Sequence, residues 1–373
     1  MKVLHLTKYY HPYIGGIEQV TKDIVQSLNI STDIYCDVLC FNTSSTYIEE
    51  SIETYKVYRT ASLATLSSTA ISPQYIQKFA KFAKNYDIIH IHHPNPIAFL
   101  ALFLVRPSAK IIIHWHADII RQKKLLKLFQ PLQRWALQRA DAIITTSQNY
   151  ADHSQPLQDF KDKIQVIPIG IRPPTKVTFK RTNAYKNKKI IFSLGRLVSY
   201  KGFDVLINSA EFLDEEFIIL IGGDGPLYDH LHELIEQKNL QNKVKLLGRL
   251  TEEEKSIYFQ KCFLFCLPSI TKAEAFGVVL LEAMTYAKPI VSTNIIQSGM
   301  SWVNKDDETG ILVQPNSPQQ LASAFKKLAS DEELYKTLSK NALKRYKKHF
   351  TREKMITSLE ALYKTVLVSP DKD

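Results

Sequence analysis

The sequence predicts an α/β protein of two doubly wound parallel-sheet domains facing a cleft, and three observations carry that prediction. The length of 373 residues exceeds what one ordinary core accommodates, so two domains of roughly 170 to 200 residues each are expected. Short apolar runs that read as buried strands alternate with helical patterns nearly throughout, which is the order of parallel sheets covered by helices. The stretch PIGIRPPT at 168–175, with the basic, polar residues 176–188 behind it, interrupts this alternation and reads as a linker. The expected division is therefore 1–172, 173–345 and a terminal segment 346–373 whose apolar-faced helix, 355–366, packs back on the first domain.

Strands are expected in the first half at 3–6, 34–41, 54–59, 87–91, 110–114, 141–145 and 164–167. The second half offers 189–194, 216–221, 243–247, 263–267, 289–292 and 310–313. The composition, 45% apolar and 23% charged, is that of a soluble globular protein. No apolar run reaches the roughly 18 to 20 residues that a membrane span needs, residues 94–105 coming nearest. Residues 2–7 open with a strand pattern rather than a charged and apolar leader, so export is not expected and the chain reads as cytoplasmic. Cys36, Cys40, Cys262 and Cys266 lie in apolar runs without C-x-x-C spacing and read as reduced core residues. A net charge of +11 favours an anionic partner: nucleic acid, a phosphorylated ligand or an acidic membrane face.

The segment TKAEAFGVVLLEAM at 271–284 follows an apolar strand and organises the second half. Gly277 is the hinge into a helix in which Val278, Leu281 and Met284 recur at helical spacing. Glu274 stays in the loop. The helix start offers unpaired backbone N–H groups and a partial positive charge, a seat for an anion such as a diphosphate. Glu282 lies more than a turn inside the helix, so the two carboxylates do not share a proton and have separate tasks. A carboxylate accepts two sugar hydroxyls well, although a solvated loop Glu and a surface-helix Glu would read the same way in isolation.

Other strand ends carry similar signals. SLGRLVSYKG at 193–202 is a strand and a glycine turn with Arg196 and Lys201 before a helix, two cations suited to a diphosphate. GGDGPL at 222–227 repeats the strand, glycine turn and Pro-led helix start. Gly15 and Gly16, before a helix at 17–28, allow close approach to a phosphate, but such a pair is also a common turn. The tip 8–13 is aromatic and basic, suited to stacking on a sugar or a lipid-linked acceptor, or to packing on its own domain. His114 and His116 share a strand face and, with Asp118, have the look of metal ligands. A single histidine donating to a sugar hydroxyl or phosphate oxygen is more economical, and no metal is expected. The segment 119–139 carries Arg121, Lys123, Lys124, Lys127, Arg134 and Arg139 beside Leu125, Leu128, Leu132 and Trp135, broken by Pro131. It reads either as a basic amphipathic helix for an anionic bilayer or as a core helix with a solvated basic face.

Taken in order, these motifs resemble the family 4 retaining glycosyltransferases of the GT-B fold, two Rossmann-like domains. The likeness rests on GGIE at 15–18, HAD at 116–118, SLGRL at 193–197 with Lys201 and Gly202, GDGP at 223–226, and Glu274 to Glu282 with Phe276 and Gly277. It implies a nucleotide-sugar donor on the second domain, an acceptor on the first, and no required metal. Carried over, Glu282 would hold the ribose; Gly195, Arg196 and Lys201 the diphosphate; Glu274, with the N–H groups of Ala275, Phe276, Gly277 and Val278, the donor sugar. His116 would touch the sugar near the reacting carbon, and Gly15 and Gly16 would approach the phosphate. The sequence departs from the family pattern at His114, where many members have Thr, and at TNIIQSG, 293–299, in place of a Gly-Gly loop. The style is nearest to mannosyltransferases of surface-polysaccharide assembly, which implies GDP-mannose before UDP-sugars, a glycan or lipid-linked acceptor, and peripheral contact with the inner membrane face. The alternative is a nucleotide-sugar epimerase on the same plan. A nucleic-acid partner is not expected, because the segment 119–139 only partly matches an exposed basic strip with interleaved aromatics.

Overall fold

The computed structural model describes residues 1–13, 15–66, 69–119, 123–175, 177 and 185–369. Ile120, Arg121 and part of the expected linker, 176 and 178–184, lie outside the described residues. The chain forms two compact units, Met1–Gly170 with Arg352–Asp373, and Ile171–Thr351.

The first unit contains the strands β1 (Lys2–Leu6), β2 (Tyr35–Phe41), β3 (Ile48–Ile52), β4 (Tyr55–Thr60), β5 (Ala64–Leu66), β6 (Thr69–Ile71), β7 (Ile88–His93), β8 (Lys110–Trp115), β9 (Ala142–Thr145) and β10 (Ile164–Val166). Its helices are α1 (Gly16–Ser31), α2 (Pro73–Phe82), α3 (Pro96–Val105), α4 (Lys123–Arg139) and α5 (Gln148–His153). The sheet runs β10-β9-β8-β7-β1-β2-β4-β3. Its core strands are parallel as expected, but β3 pairs antiparallel with β4 and closes that edge, while β5 and β6 form a separate antiparallel pair. These three are not among the strands expected from the sequence, because each is short and partly polar, with no continuous apolar run.

The second unit carries β11 (Lys189–Leu194), β12 (Phe217–Gly222), β13 (Val244–Gly248), β14 (Leu264–Leu267), β15 (Ile290–Thr293) and β16 (Gly310–Val313). Its helices are α6 (Phe203–Ser209), α7 (Tyr228–Gln237), α8 (Glu252–Lys261), α9 (Val278–Thr285), α10 (Met300–Val303), α11 (Pro318–Ser330) and α12 (Glu332–His349). The order β13-β12-β11-β14-β15-β16 is all parallel and reverses between β11 and β14. At such a switch point the loops leaving two neighbouring strands diverge to opposite faces and leave a crevice at the carboxyl ends. The first sheet has its own switch point between β1 and β7.

The central strands β11, β12, β14 and β15 are buried on both faces because helices cover both, and the core of the second unit gathers Ile191, Leu206, Ile219, Leu231, Leu264 and Phe325. The last helix, α13 (Arg352–Val368), belongs to the first unit, where Arg352 pairs with Asp23 of α1 at 3.2 Å. All four cysteines are free and buried. Pro131 does not break α4, which stays continuous; Leu128 is 82% exposed, and the buried side is Gln133, Ala136 and Leu137 instead. Arg121 of the expected basic face lies outside the described residues.

Candidate active site

In the second unit three loops meet at the carboxyl ends of β11, β12 and β14. The loop after β11 is tied to the loop after β12 by backbone bonds from Gly195 N–H to the Gly222 carbonyl, 3.1 Å, and from Leu197 N–H to the Asp224 carbonyl, 2.9 Å. Glycine is needed at 223: with φ of +133°, a Cβ there would lie 1.9 Å from the Gly195 carbonyl oxygen. The loop after β11 is also tied to the loop after β14, by Ile270 N–H to the Tyr200 carbonyl at 2.8 Å. Pro226 does not lead the next helix as expected, since α7 starts two residues later at Tyr228.

This bracing brings Lys201 and Glu274 together. The Lys201 Nζ sits 2.5 Å from Glu274 Oε2, with both side chains 12% exposed. Burial works to pull the Lys201 ammonium down, but the charge and hydrogen bond of Glu274 outweigh it and leave it above its ordinary value. Ser269 Oγ donates to the same Glu274 oxygen at 3.2 Å. Gly195 lies against this pair, since a Cβ there would be 3.3 Å from the Lys201 Nζ. Arg196 is exposed and its side chain makes no hydrogen bond or ion pair among the described residues, so one cation on this loop is uncommitted.

Gly277 caps α9 with φ of +78° and no side-chain hydrogen bond. The N–H groups of Ala275, Phe276 and Gly277 find no partner among the described residues, the arrangement that an anion or sugar oxygen would satisfy. Phe276 is buried and anchors the turn. The helix buries Leu280, Leu281, Ala283 and Met284, whereas Val278 at its start is only half-buried, a departure from the expected apolar face. The segment 293–299 has a bracing task that the sequence did not reveal. Ser298 Oγ donates to the Glu274 carbonyl, and Gly299 N–H donates to the Ala275 carbonyl at 2.7 Å. Glu282 is half-buried and its carboxyl is raised by burial, an effect that Lys255 opposes and Glu252 reinforces. Lys255 lies 2.7 Å from Glu252 and 3.9 Å from Glu282, which leaves the Glu282 oxygens largely free. The two glutamates thus answer to different lysines.

In the first unit the switch point is lined by histidines. His5 on β1, His90 and His92 on β7, and His114 and His116 on and after β8 are all buried. Period-two alternation and the pairing of His5 with His90 and of His92 with His114 put them on one face. His5 Nδ1 lies 3.1 Å from His92 Nε2, and His92 Nδ1 lies 2.9 Å from His116 Nε2. A second line joins the Tyr363 hydroxyl of α13 to His90 Nδ1 at 2.5 Å, and His90 Nε2 to His114 Nδ1 at 3.4 Å. Burial pushes His5 and His116 down to about 3, and His90, His92 and His114 well below their ordinary value, so all are neutral at pH 7. His116 is therefore less exposed than a residue at a cleft mouth, and Asp118 is not its partner. Asp118 instead accepts from the Trp115 indole at 3.0 Å and from Ser154 Oγ at 2.7 Å.

The triplets His5, His90, His92 and His92, His114, His116 each bring one nitrogen apiece within 4.8 Å, a donor set that suits zinc or a similar ion. Their rings, however, stack nearly parallel, at 11° for His92 and His116 and 19° for His114 and His116. Lone pairs in parallel rings run side by side instead of converging, so the arrangement is that of a hydrogen-bonded chain.

Gly15 and Gly16 stand at the start of α1. The anion seat expected there is taken by the chain itself: a Cβ on Gly15 would lie 2.1 Å from Glu18 Oε2. The Glu18 carboxyl is raised by burial, against a backbone hydrogen bond and Lys8 that lower it. Gly16 is exposed, with open space where its Cβ would be.

Two Rossmann-like parallel sheets, one carrying a cation pair, a carboxylate and free amides at its switch point, define the GT-B class. Comparison with known proteins agrees. The family described as Glycosyl transferases group 1 matches residues 175–345, and Glycosyltransferase Family 4 matches 14–174. The chain is 33% identical over 374 residues to the O-antigen chain mannosyltransferase C of Escherichia coli, covering 99% of this chain and 100% of that one. It is 30% identical over 367 residues to the D-rhamnosyltransferase WbpZ of Pseudomonas aeruginosa, covering 94% and 92%. Among solved structures, the sucrose-phosphate synthase of Thermosynechococcus elongatus superposes with a TM-score of 0.81 at 19% identity, covering 99% of this chain and 100% of that one. Anabaena Alr3699/HepE in complex with UDP-glucose gives 0.75 at 21%, covering 98% and 100%. The chain belongs to the family 4 glycosyltransferases.

Proposed function

We propose that this glycosyltransferase moves a hexose, mannose from GDP-mannose being the favoured case, with retention to a glycan or lipid-linked acceptor in surface-polysaccharide assembly. The observation that carries the reading is the Lys201–Glu274 pair, with the uncommitted Arg196 on one side and the free amides of Ala275 to Gly277 on the other. Arg196 and Lys201 would neutralise the leaving diphosphate, Glu282 would accept the ribose hydroxyls, and Glu274 with the amides would hold the sugar. His116 would donate a hydrogen bond to that sugar. No protein nucleophile is assigned, because Glu274 is engaged by Lys201 and Ser269; a phosphate oxygen of the leaving group would take the acceptor's proton. Nothing in this scheme calls for a metal. The mannosyl donor is supported by the mannosyltransferase relative, and UDP-sugars enter the test because a structural neighbour is complexed with UDP-glucose. Transfer from GDP-mannose and from UDP-sugars is to be measured in wild type and Glu274→Ala, with the anomer of the product assigned by NMR. The expected results are retention and a loss of about a hundredfold in the variant, the scale of one transition-state contact. Undiminished transfer by the variant would remove Glu274 from the site.

We also propose peripheral contact with the inner membrane face through α3 and α4. Leu104 is 57% and Leu128 82% exposed, and the neighbouring Arg106 and Lys127 are exposed cations. No helix among the described residues is long and apolar enough to cross a membrane. Co-sedimentation should be strong with phosphatidylglycerol vesicles, weak with phosphatidylcholine, and lost in Leu104→Ser/Leu128→Ser; equal binding by that variant would contradict the assignment.

A further inference from the structure

The histidine chain has a direction, and the direction starts at its buried end. His5 Nε2 is buried and has no hydrogen-bond partner among the described residues. A neutral imidazole carries its proton on one nitrogen only. A buried N–H without an acceptor is rarer than a buried acceptor without a donor, so the orphan nitrogen is the bare one and the His5 proton sits on Nδ1. His5 Nδ1–H then donates to His92 Nε2, which forces the His92 proton onto Nδ1. His92 Nδ1–H donates in turn to His116 Nε2. The His116 proton is left on Nδ1, which has no partner among the described residues and is not among the buried unpartnered atoms, so it reaches solvent.

We infer that His92 is a positioning residue, which fixes His116 as the Nδ1–H tautomer and so presents a hydrogen-bond donor, never an acceptor, to a hydroxyl or phosphate oxygen of the sugar nucleotide. A side chain in water samples both tautomers; this one is committed before ligand arrives. The rings stacked on the chain, His90 and His114, hold it in plane, with centroids 4.6 Å from His92 and 4.0 Å from His116. The inference deepens the role proposed above for His116 and rests on it only for the effect on rate.

The test is histidine-labelled full-length protein observed by 15N–1H correlation through the ring carbons, with His116 assigned by its loss in His116→Ala. Wild type should show protonated Nδ1 and bare Nε2 for His116. His92→Leu should mix the tautomers and lower the transfer rate about tenfold, the worth of one hydrogen bond. His92→Asn, whose side-chain amide can donate from nearly the position of Nδ1, should restore both, which separates lost positioning from lost folding. Protonated Nε2 on His116 in wild type, or an unchanged His116 signal in a folded His92→Leu, would overturn the inference. The expected tautomers together with full activity in His116→Ala would instead overturn the proposed part of His116 in transfer and leave the tautomer assignment standing.

Discussion

Under the proposed function the Glu274–Lys201 ion pair would also be a binding site. Both side chains are mostly out of water, so removing one leaves the other a charge without compensation. A ligand that brings a diphosphate to Lys201 and sugar hydroxyls to Glu274 replaces one set of partners with another at little desolvation cost. The loss expected in Glu274→Ala belongs at this scale, because alanine removes the acceptor and frees the Lys201 ammonium from its present position. The types of these residues were legible in the sequence, as cations and carboxylates at strand ends. Their mutual pairing was not, because it depends on the bond from Ile270 to Tyr200 that ties two loops 70 residues apart. The bracing by Ser298 and Gly299 was hidden for the same reason.

The strands β1, β7 and β8 carry a different consequence. His5, His90, His92, His114 and His116, with His93 on the opposite face stacked 3.7 Å from Trp115, are buried and neutral. Their folded values lie far below the unfolded value of about 6.5, so below that pH the unfolded chain binds more protons than the folded one. Stability is therefore full above pH 6.5 and falls as pH drops toward the folded values, by up to about 1.4 kcal/mol per histidine per pH unit. The histidines of the second unit, His230, His232 and His349, are exposed or half-buried. Calorimetry between pH 7.5 and 5 should show a transition of the first unit moving down steeply while that of the second moves little; equal shifts would contradict this assignment. The i, i+2 spacing of His114 and His116 gave away a shared face, but His5 and His90 entered the column only through strand order. The apolar runs foretold the parallel core strands, whereas β3 and the β5–β6 pair, short and partly polar, left no such trace.

At the scale of the whole molecule, each of the two sheets has a switch point, and the proposed function assigns the nucleotide to the β11–β14 crevice of the second unit. On that proposal a diphosphate is gripped there by Arg196 and Lys201 together with the amides before α9. Calorimetric titration of the full chain with GDP, UDP and the matching monophosphates, at low salt, tests this most directly. The preferred nucleoside diphosphate should bind more tightly than its monophosphate, and Arg196→Ala should weaken the diphosphate by about tenfold or more, the worth of a charge-assisted hydrogen bond, while barely altering the nucleoside. Diphosphate binding by Arg196→Ala as tight as that of wild type would contradict it.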